Sequence, residues 1–123
     1  MPTLTVELNG NQTHFVPGER IDGLAGWDFG PDSPKWVEVR LYWHTLGKGD
    51  EDIVVADSVR FEEPRGVDAQ VFGFVTPAGP FSYEGRLIEI AWGIEVVAHR
   101  TKTTAQLDLT LSATGAPLKL ESE

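Results

Sequence analysis

The amino-acid sequence predicts an all-β protein, a two-sheet antiparallel β-sandwich of about seven to eight strands. Apolar residues alternate with polar residues over short stretches, which is typical of strands with one buried face. Turn-forming Gly, Pro, Asn and Asp separate these stretches. No segment of useful length shows the apolar spacing of an amphipathic helix. Each strand therefore offers one apolar face, as the inner faces of a sandwich require.

The strongest strand signal lies in residues 88–98, around which we arrange the rest of the chain. One parity holds Ile88, Ile90, Trp92, Ile94, Val96 and Ala98. The other parity holds Glu89, Ala91, Gly93, Glu95 and Val97. Because successive side chains of a strand point to opposite faces, one face should lie in the core and the other largely in water. The strand is longer than average, so we expect it to span the full height of a sheet.

The beginning of the chain predicts a hairpin. Residues 4–8 alternate between apolar and polar side chains, and Asn9-Gly10 follows them. This dipeptide is typical of a two-residue turn in which both central residues need positive φ. We therefore expect a return strand over residues 11–16, paired with the first strand.

The next strand is predicted over residues 21–27, where Gly23 and Gly26 indicate a bulge or a close approach of another backbone. In residues 53–61, the side chains of one parity are mostly apolar, which predicts a single buried face. The residues of that parity are Ile53, Val55, Val59 and Phe61, interrupted by Asp57. The other strands are predicted over residues 36–43, 68–76 and 105–111.

The length and composition of the chain limit the classes of function that we expect. The chain has 123 residues, no cysteine, a net charge of −9 and a pI near 4.7. This length suits one domain, residues 1–123, with residues 112–123 as a tail and a short strand pairing near Leu118 and Leu120. The negative charge disfavours nucleic acid and anionic membranes as partners. With neither a signal peptide nor an apolar span in the sequence, we expect a cytoplasmic protein without membrane insertion.

Two motifs carry a resemblance to a known family. The segment FVPGERIDG at residues 15–23 resembles the PGE-containing segment of arrestin-like domains. The segment PFSYEG at residues 80–85, followed by the strand at 88–96, is similar to a second arrestin-like segment in the expected order. The matching positions are Pro17, Gly18, Glu19, Gly23, Pro80, Ser82, Tyr83, Gly85 and Trp92.

The resemblance implies an immunoglobulin-like sandwich that acts as an adaptor and not as an enzyme. Arrestins, α-arrestins and bacterial sporulation-control proteins share this fold. Arrestins have two such sandwiches, whereas this chain has the length of one. Phosphate sensing by arrestins uses lysines near the first strands, and residues 1–19 contain neither Lys nor Arg. Phosphate sensing is therefore not expected here.

The residues of the motifs also have a structural interpretation. Pro17 fixes its own φ, and Gly18 can adopt positive φ, which suits a bend between two strand segments. Tyr83 lies in a turn before the long strand, where its ring can be buried and its hydroxyl can bond the backbone. We expect both motifs to be structural.

Catalytic and cofactor chemistry has little support in the sequence, and we expect no catalytic residue and no cofactor. The environment of Ser82 lacks the Gly-x-Ser-x-Gly spacing of a nucleophile elbow. The three histidines show no metal-ligand spacing. Asp50, Glu51 and Asp52 form a weak Ca²⁺ candidate, for which a solvated acidic loop is the favoured interpretation.

The predicted function is protein interaction through edge-strand pairing or homodimerisation, with the protein partner undetermined. The alternative is a carbohydrate-binding β-sandwich module, in which Trp27, Trp36 and Tyr42 would be exposed. Trp36 and Tyr42 are six residues apart, roughly 20 Å along one strand, which is too far for a compact stacking platform. Burial of these aromatic residues is the other interpretation.

Overall fold

The structure, a computed structural model, describes residues 3–47, 51–84, 88–99, 104–113 and 118–119. Nearly all of the regular structure in these residues is strand. The strands are β1 (Thr3–Leu8), β2 (His14–Phe15), β3 (Arg20–Asp28), β4 (Trp36–Gly47), β5 (Glu51–Glu62), β6 (Val67–Val75), β7 (Tyr83–Glu84), β8 (Ile88–Ala98), β9 (Thr104–Leu111) and β10 (Leu118–Lys119). A 3₁₀ turn spans Asn9–Asn11.

The strands form two sheets. Sheet I is antiparallel and has the order β1-β3-β6. In sheet II, the antiparallel strands β5, β4 and β8 are neighbours in that order. The far side of β8 pairs with β7 near its start and with β9 along the rest of its length. Two short strands pair in parallel at this side, β10 with β7 and β2 with β9.

The core lies between the two sheets and confirms the prediction of a two-sheet β-sandwich. The apolar parity of β8 points inward, with Trp92, Ile94, Val96 and Ala98 at most 3% exposed. Inward residues of β4 pack against them, and sheet I contributes its own inward parity. The residues contributed by β3, β4 and β6 are Ile21, Ala25, Trp27, Val37, Val39, Leu41, Phe72 and Phe74. The period-two pattern thus identifies the buried face of each of these strands.

The predicted hairpin after β1 does not form. Asn9–Asn11 form a 3₁₀ turn in which positive φ falls on Gly10 (66°) and Asn11 (54°) and not on Asn9, so the predicted two-residue turn is absent. The chain that follows it does not return along β1. Instead, β2 crosses to sheet II, where His14 pairs with Thr110, and β1 pairs with β3. The dipeptide marks the position of a turn, but it determines neither the type of the turn nor the strand with which the following segment pairs.

A β-bulge explains why the predicted face of residues 53–61 is wrong. Leu41 pairs with Asp57 and Tyr42 pairs with Val55, which leaves Ala56 without a partner on β4. One extra residue reverses the direction of the side chains that precede it. The side chains of Val59 and Phe61 therefore pack on the core, whereas those of Ile53 and Val55 are exposed.

Gly23 lies at a close contact between strands. A Cβ atom at this position would lie 2.5 Å from the backbone oxygen of Glu7 and 2.7 Å from Cζ of Phe72. The sequence prediction of a close backbone approach is confirmed here. At Gly26 the nearest atom to a Cβ would be the hydroxyl oxygen of Thr5, at 2.9 Å, on a side chain that can rotate.

We expect Gly23→Ala to lower the free energy of unfolding by about 1–3 kcal/mol, because the new methyl group meets a backbone oxygen that cannot move alone. Gly26→Ala is the matched control on the same strand and should lose less. Urea denaturation followed by tryptophan fluorescence measures both values. Equal losses for the two variants would show that β1 and β3 adjust freely at Gly23.

Candidate functional site

The first motif of the sequence fixes the end of strand β6. Gly18 has φ 85°, the left-handed conformation that glycine favours. Its N–H donates to the carbonyl of Thr76 at 2.8 Å, and the N–H of Thr76 donates to the carbonyl of Glu19 at 2.8 Å. The Glu19 carboxylate accepts hydrogen bonds from the N–H of Val16 at 3.1 Å and from the Gln12 amide at 2.9 Å. Gly18 and Glu19 thus have structural contacts, and the exposed Pro17 precedes them in the same turn.

The second motif ties the chain before β7 to the end of β9. The N–H of Ser82 donates to the carbonyl of Leu111 at 2.7 Å, and the Ser82 hydroxyl accepts from the N–H of Leu111 at 2.9 Å. The indole N–H of Trp92 donates to the carbonyl of Pro80 at 2.6 Å. Tyr83 pairs with Ile90 in the sheet. Gly85 lies outside the described residues.

The acidic segment that suggested a Ca²⁺ site is only partly described. Asp50 lies outside the described residues, whereas Glu51 and Asp52 are consecutive in β5 and therefore point to opposite faces. The Glu51 carboxylate lies 3.4 Å from Nδ1 of His44. In the described part of the chain, no group of three or more His, Cys, Asp or Glu residues could hold a metal ion. The described part of this segment therefore supplies no cation site.

Ion pairs cover the outer face of sheet II. Glu38 is 8% exposed and accepts hydrogen bonds at 2.9 Å from Arg40 on its own strand and from Arg60 on β5. Burial raises the pKa of the Glu38 carboxyl, but the hydrogen bonds and charges of the two arginines outweigh burial, so the net pKa is lowered. Arg40 also reaches Glu95 on β8 at 3.6 Å. These contacts join three neighbouring strands.

A polar cleft of about 380 Å³ lies beside this network. The Tyr42 side chain lies over Gly93 of the neighbouring strand β8. A Cβ atom at Gly93 would be 2.6 Å from the Tyr42 hydroxyl oxygen. Burial raises the pKa of the Tyr42 phenol, and the carboxylates of Glu95 and Asp108 raise it further. The cleft is lined by Arg40, Tyr42, His44, Glu51, Ile53, Val55, Glu95, Gln106 and Asp108.

The aromatic residues that suggested sugar binding do not form one surface. Trp27 is 4% exposed, and its indole N–H donates to the carbonyl of Arg65 at 2.8 Å, so the interpretation of an exposed Trp27 is wrong. The ring of Trp36 stacks on His99, with centroids 5.3 Å apart. The Arg60 guanidinium lies 4.3 Å from the same ring. Because β4 lies between β5 and β8, these neighbours approach Trp36 from opposite sides, whereas Tyr42 lines the cleft described above.

Strand β6 presents an exposed apolar row, which we call the valine row. It consists of Val67, Ala69, Val71, Gly73 and Val75. Val71 at its centre is 76% exposed, and Val67 and Val75 are 58% and 56% exposed. The side chains of Arg20 and Asp22 lie over Gly73, where a Cβ atom would be 2.7 Å from Oδ1 of Asp22, so the exposed apolar stretch runs from Val67 to Val71 and Val75 lies beyond this ion pair. Exposed apolar side chains that are grouped on a monomer are typical of interaction surfaces. The sequence contains the signal for this row, because the odd-numbered residues of β6 carry no charge and lie on the face opposite Phe72 and Phe74. The sequence of one strand does not show whether another element covers that face.

The valine row also carries the outward-facing backbone groups of an edge strand. In the described residues, β6 pairs only with β3, without a register shift. Gly66 and Thr76, which flank β6, both direct their backbone bonds toward the β3 side. Backbone groups alternate in direction along a strand, so the even-numbered residues of β6 face β3 and the odd-numbered residues face outward. The N–H and carbonyl groups of Val71 therefore point away from the sheet.

The edge of sheet II at β5 differs from the edge at β6. Strand β5 contains Glu51, Asp52, Asp57 and Glu62, and a bulge at Ala56. Charged side chains and bulges on an edge strand discourage pairing with another strand. Strand β6 has no bulge, and its one charged residue, Asp68, is half-buried on the other parity. Of these two edges, only β6 is both regular and uncharged on its exposed row.

Comparison with known proteins supports the fold. No protein-family profile and no curated protein sequence matches the chain. Among solved structures, Spo0M, a sporulation control protein from Bacillus subtilis with an arrestin-like fold, superposes with a TM-score of 0.64 at 14% identity. The match covers 91% of this chain. The chain has an arrestin-like fold.

This arrestin-like chain spans about half of Spo0M, since the match covers 49% of that protein. A superoxide reductase (neelaredoxin) from Ignicoccus hospitalis also matches, with a TM-score of 0.52, 12% identity, and coverage of 89% of this chain and 80% of that chain. A control protein and an oxidoreductase thus share the architecture, so the fold does not determine the function. The described residues contain no helix that is long and apolar enough to cross a membrane.

We expect Glu38→Gln to destabilise the protein by about 1–3 kcal/mol at pH 7, because two charge-assisted hydrogen bonds are weakened. The folded-state pKa of Glu38 lies below its ordinary value of 4.5. Its contribution is therefore present above that value and is lost as the pH falls through the folded-state pKa. The difference between wild type and variant should shrink in acid. Urea denaturation at pH 7, 5 and 3 measures this dependence.

Glu62→Gln is the control for this experiment. The Glu62 carboxylate is exposed and lies 3.8 Å from Arg60, so we expect a loss below about 0.5 kcal/mol. A difference between wild type and Glu38→Gln that stays constant with pH would contradict the lowered pKa.

Proposed function

We propose that this protein is a non-catalytic interaction module of the arrestin-like type, which binds another polypeptide along the outer edge of strand β6. The observation that carries the proposal is the coincidence of two features in the same five residues. The valine row supplies exposed apolar side chains, and the same residues direct their backbone N–H and carbonyl groups outward. An incoming strand would extend sheet I by one strand.

Strand addition uses both features. Backbone hydrogen bonds to the incoming strand supply affinity that does not depend on its sequence. Specificity comes from the side chains, because large residues of the partner must fit beside Ala69, between Val67 and Val71. Arg20 and Asp22 on β3, paired at 2.9 Å, lie over Gly73 between Val71 and Val75 and supply polar groups beside the apolar side chains. A regular apolar centre with a polar border is the usual anatomy of an interface.

The polar face of sheet II supports a structural role better than a catalytic one. Arg40 and Arg60 both pair with Glu38, and Glu95 lies 3.6 Å from Arg40 and accepts a hydrogen bond from Gln106. Such contacts hold β4, β5, β8 and β9 in register. The net charge of −9 leaves nucleic acid and anionic membranes as unfavourable partners.

The alternative of a carbohydrate-binding module has less support. Sugar rings stack on flat aromatic surfaces, and the three candidate side chains supply no shared surface. Trp27 lies in the core, and Trp36 lies between His99 and Arg60. Tyr42 remains in the cleft without a second aromatic platform. We therefore retain protein interaction as the proposed function.

Selection of peptides from a random nine-residue phage library on the immobilised protein tests the proposal. We expect the selected peptides to have apolar residues at every second position, and Val71→Lys to weaken their binding at least about tenfold, or ~1.4 kcal/mol. A lysine at the centre of the edge places a charge in the row and discourages strand addition.

The matched control is Ile53→Lys on β5, since Ile53 is also an exposed edge residue, with 63% exposure. This variant should bind the selected peptides as well as wild type. Peptides that bind Val71→Lys as strongly as wild type would place the binding surface elsewhere. Failure of wild type to enrich any peptide over Val71→Lys would also contradict the proposal.

A further inference from the structure

The valine row has the same pattern of sizes in both directions. Read forward or backward, it alternates valine, small residue, valine, small residue, valine. We propose that the strand that β6 binds is β6 of a second copy of this chain, antiparallel and centred on Val71. This inference rests on the proposed function, because it names the partner of the same edge. The product is a two-fold symmetric dimer in which two three-stranded sheets join into one six-stranded sheet.

The size pattern selects the register. Centring on Val71 places it opposite Val71 of the second copy, Val67 opposite Val75, and Ala69 opposite Gly73. Large side chains then meet large ones, and small meet small. A register centred on Gln70 would place Val67 opposite Gly73 and Ala69 opposite Val71, which leaves gaps and crowding. A register centred on Ala69 keeps the size match but forms fewer pairs.

The direction of the backbone groups fits the same register. The outward residues of both copies would form the kind of antiparallel pair that exchanges two hydrogen bonds, with Cα atoms about 5.5 Å apart. In the single chain, the outward N–H of Ala69 donates to the carboxylate of Asp68 at 2.8 Å. In the dimer it exchanges this bond for the carbonyl of Gly73 of the second copy. In the single chain, the bond to Asp68 thus satisfies the Ala69 N–H group, which would otherwise lack a partner.

Charge also favours this edge for self-association. Two copies that each carry a net charge of −9 repel one another, and pairing of β5 with β5 would bring acidic edges together. The valine row has no charge. Beside Gly73 and Val75, the charges of Arg20 and Asp22 on β3 compensate each other in an ion pair at 2.9 Å, so pairing at this edge avoids the repulsion expected at β5.

The size of the contact sets the expected affinity. Nine residues of strand make a seam about 30 Å long and one strand wide. Such an interface belongs to the small class, below about 1,200 Å² in total, which is typical of weak or transient association. We therefore expect a dissociation constant in the micromolar range and a monomer–dimer equilibrium at ordinary laboratory concentrations.

Single cysteine variants test the register directly, because the natural chain has no cysteine. In the proposed dimer, Val71→Cys places two thiols opposite each other, with a Cα separation inside the 4.4–6.8 Å range that disulfides require. We expect mild oxidation to convert it to a disulfide dimer at least about tenfold faster than Ile53→Cys, its exposed counterpart on β5. A mixture of Val67→Cys and Val75→Cys chains should form the mixed dimer, and each alone should form little.

Sedimentation of the wild-type chain and of Val71→Lys completes the test, with the wild type expected to dimerise and the variant to stay monomeric. Equal oxidation rates for Val71→Cys and Ile53→Cys, or a wild type that is monomeric up to millimolar concentration, would overturn the dimer. Cross-linking of Val71→Cys without the mixed dimer would overturn the register. If the dimer fails but selected peptides still require Val71, then only this inference fails and the proposed function stands.

Discussion

The crossing of the short strand β2 from one sheet to the other is the constraint on which the rest of the sandwich depends. After β1 in sheet I, the chain pairs with β9 in sheet II, where the N–H of Thr110 donates to the carbonyl of Thr13 at 2.7 Å and the N–H of Ser112 donates to the carbonyl of Phe15 at 3.1 Å. The Phe15 side chain, 3% exposed, lies in the core at this point. The Gly18–Glu19 turn then returns the chain to sheet I and bonds Thr76 at the end of β6.

This crossing determines where the open edge lies. Because β2 leaves sheet I, β1 pairs with β3, and sheet I has only three strands in the described residues. The bonds between the Gly18–Glu19 turn and Thr76 align Arg20 with Val75, and this register continues without a shift to Asp28 and Val67. The side chains of Phe72 and Phe74 then point into the core, and the side chains of the odd-numbered residues of β6 remain on the surface. The contacts of Gly18 and Glu19, in the first of the two motifs that resemble arrestins, thus position the surface that we propose as the binding site.

The sequence predicted the faces of strands better than the neighbours of strands. Alternation in residues 88–98 identified Trp92, Ile94 and Val96 as core residues because the period of a strand is a local property. The Asn9-Gly10 dipeptide located a turn, but the predicted pairing of the following segment with β1 was wrong, because pairing depends on residues far apart in the sequence, here His14 and Thr110. The bulge at Ala56 had no clear sequence signal and reversed the face of Ile53. The alternation of residues in β6 indicated the valine row as one face of a strand. Its exposure depends on the topology of the sheet, which the sequence of a single strand does not determine.

Residue-resolved amide hydrogen exchange by NMR, at micromolar and at millimolar protein concentration, tests most directly whether the outer edge of β6 is open and binds a strand. The amides of Gln70, Phe72 and Phe74, which face β3, should exchange slowly at both concentrations. The amides of Val67, Val71, Gly73 and Val75 should exchange fast in the dilute sample and slowly in the concentrated one, whereas the amide of Ala69 already donates to the Asp68 carboxylate in the single chain. Amides of Val67, Val71 and Val75 that exchange equally fast at both concentrations, or protection that grows along β5 instead, would contradict the assignment of this edge as the self-association surface.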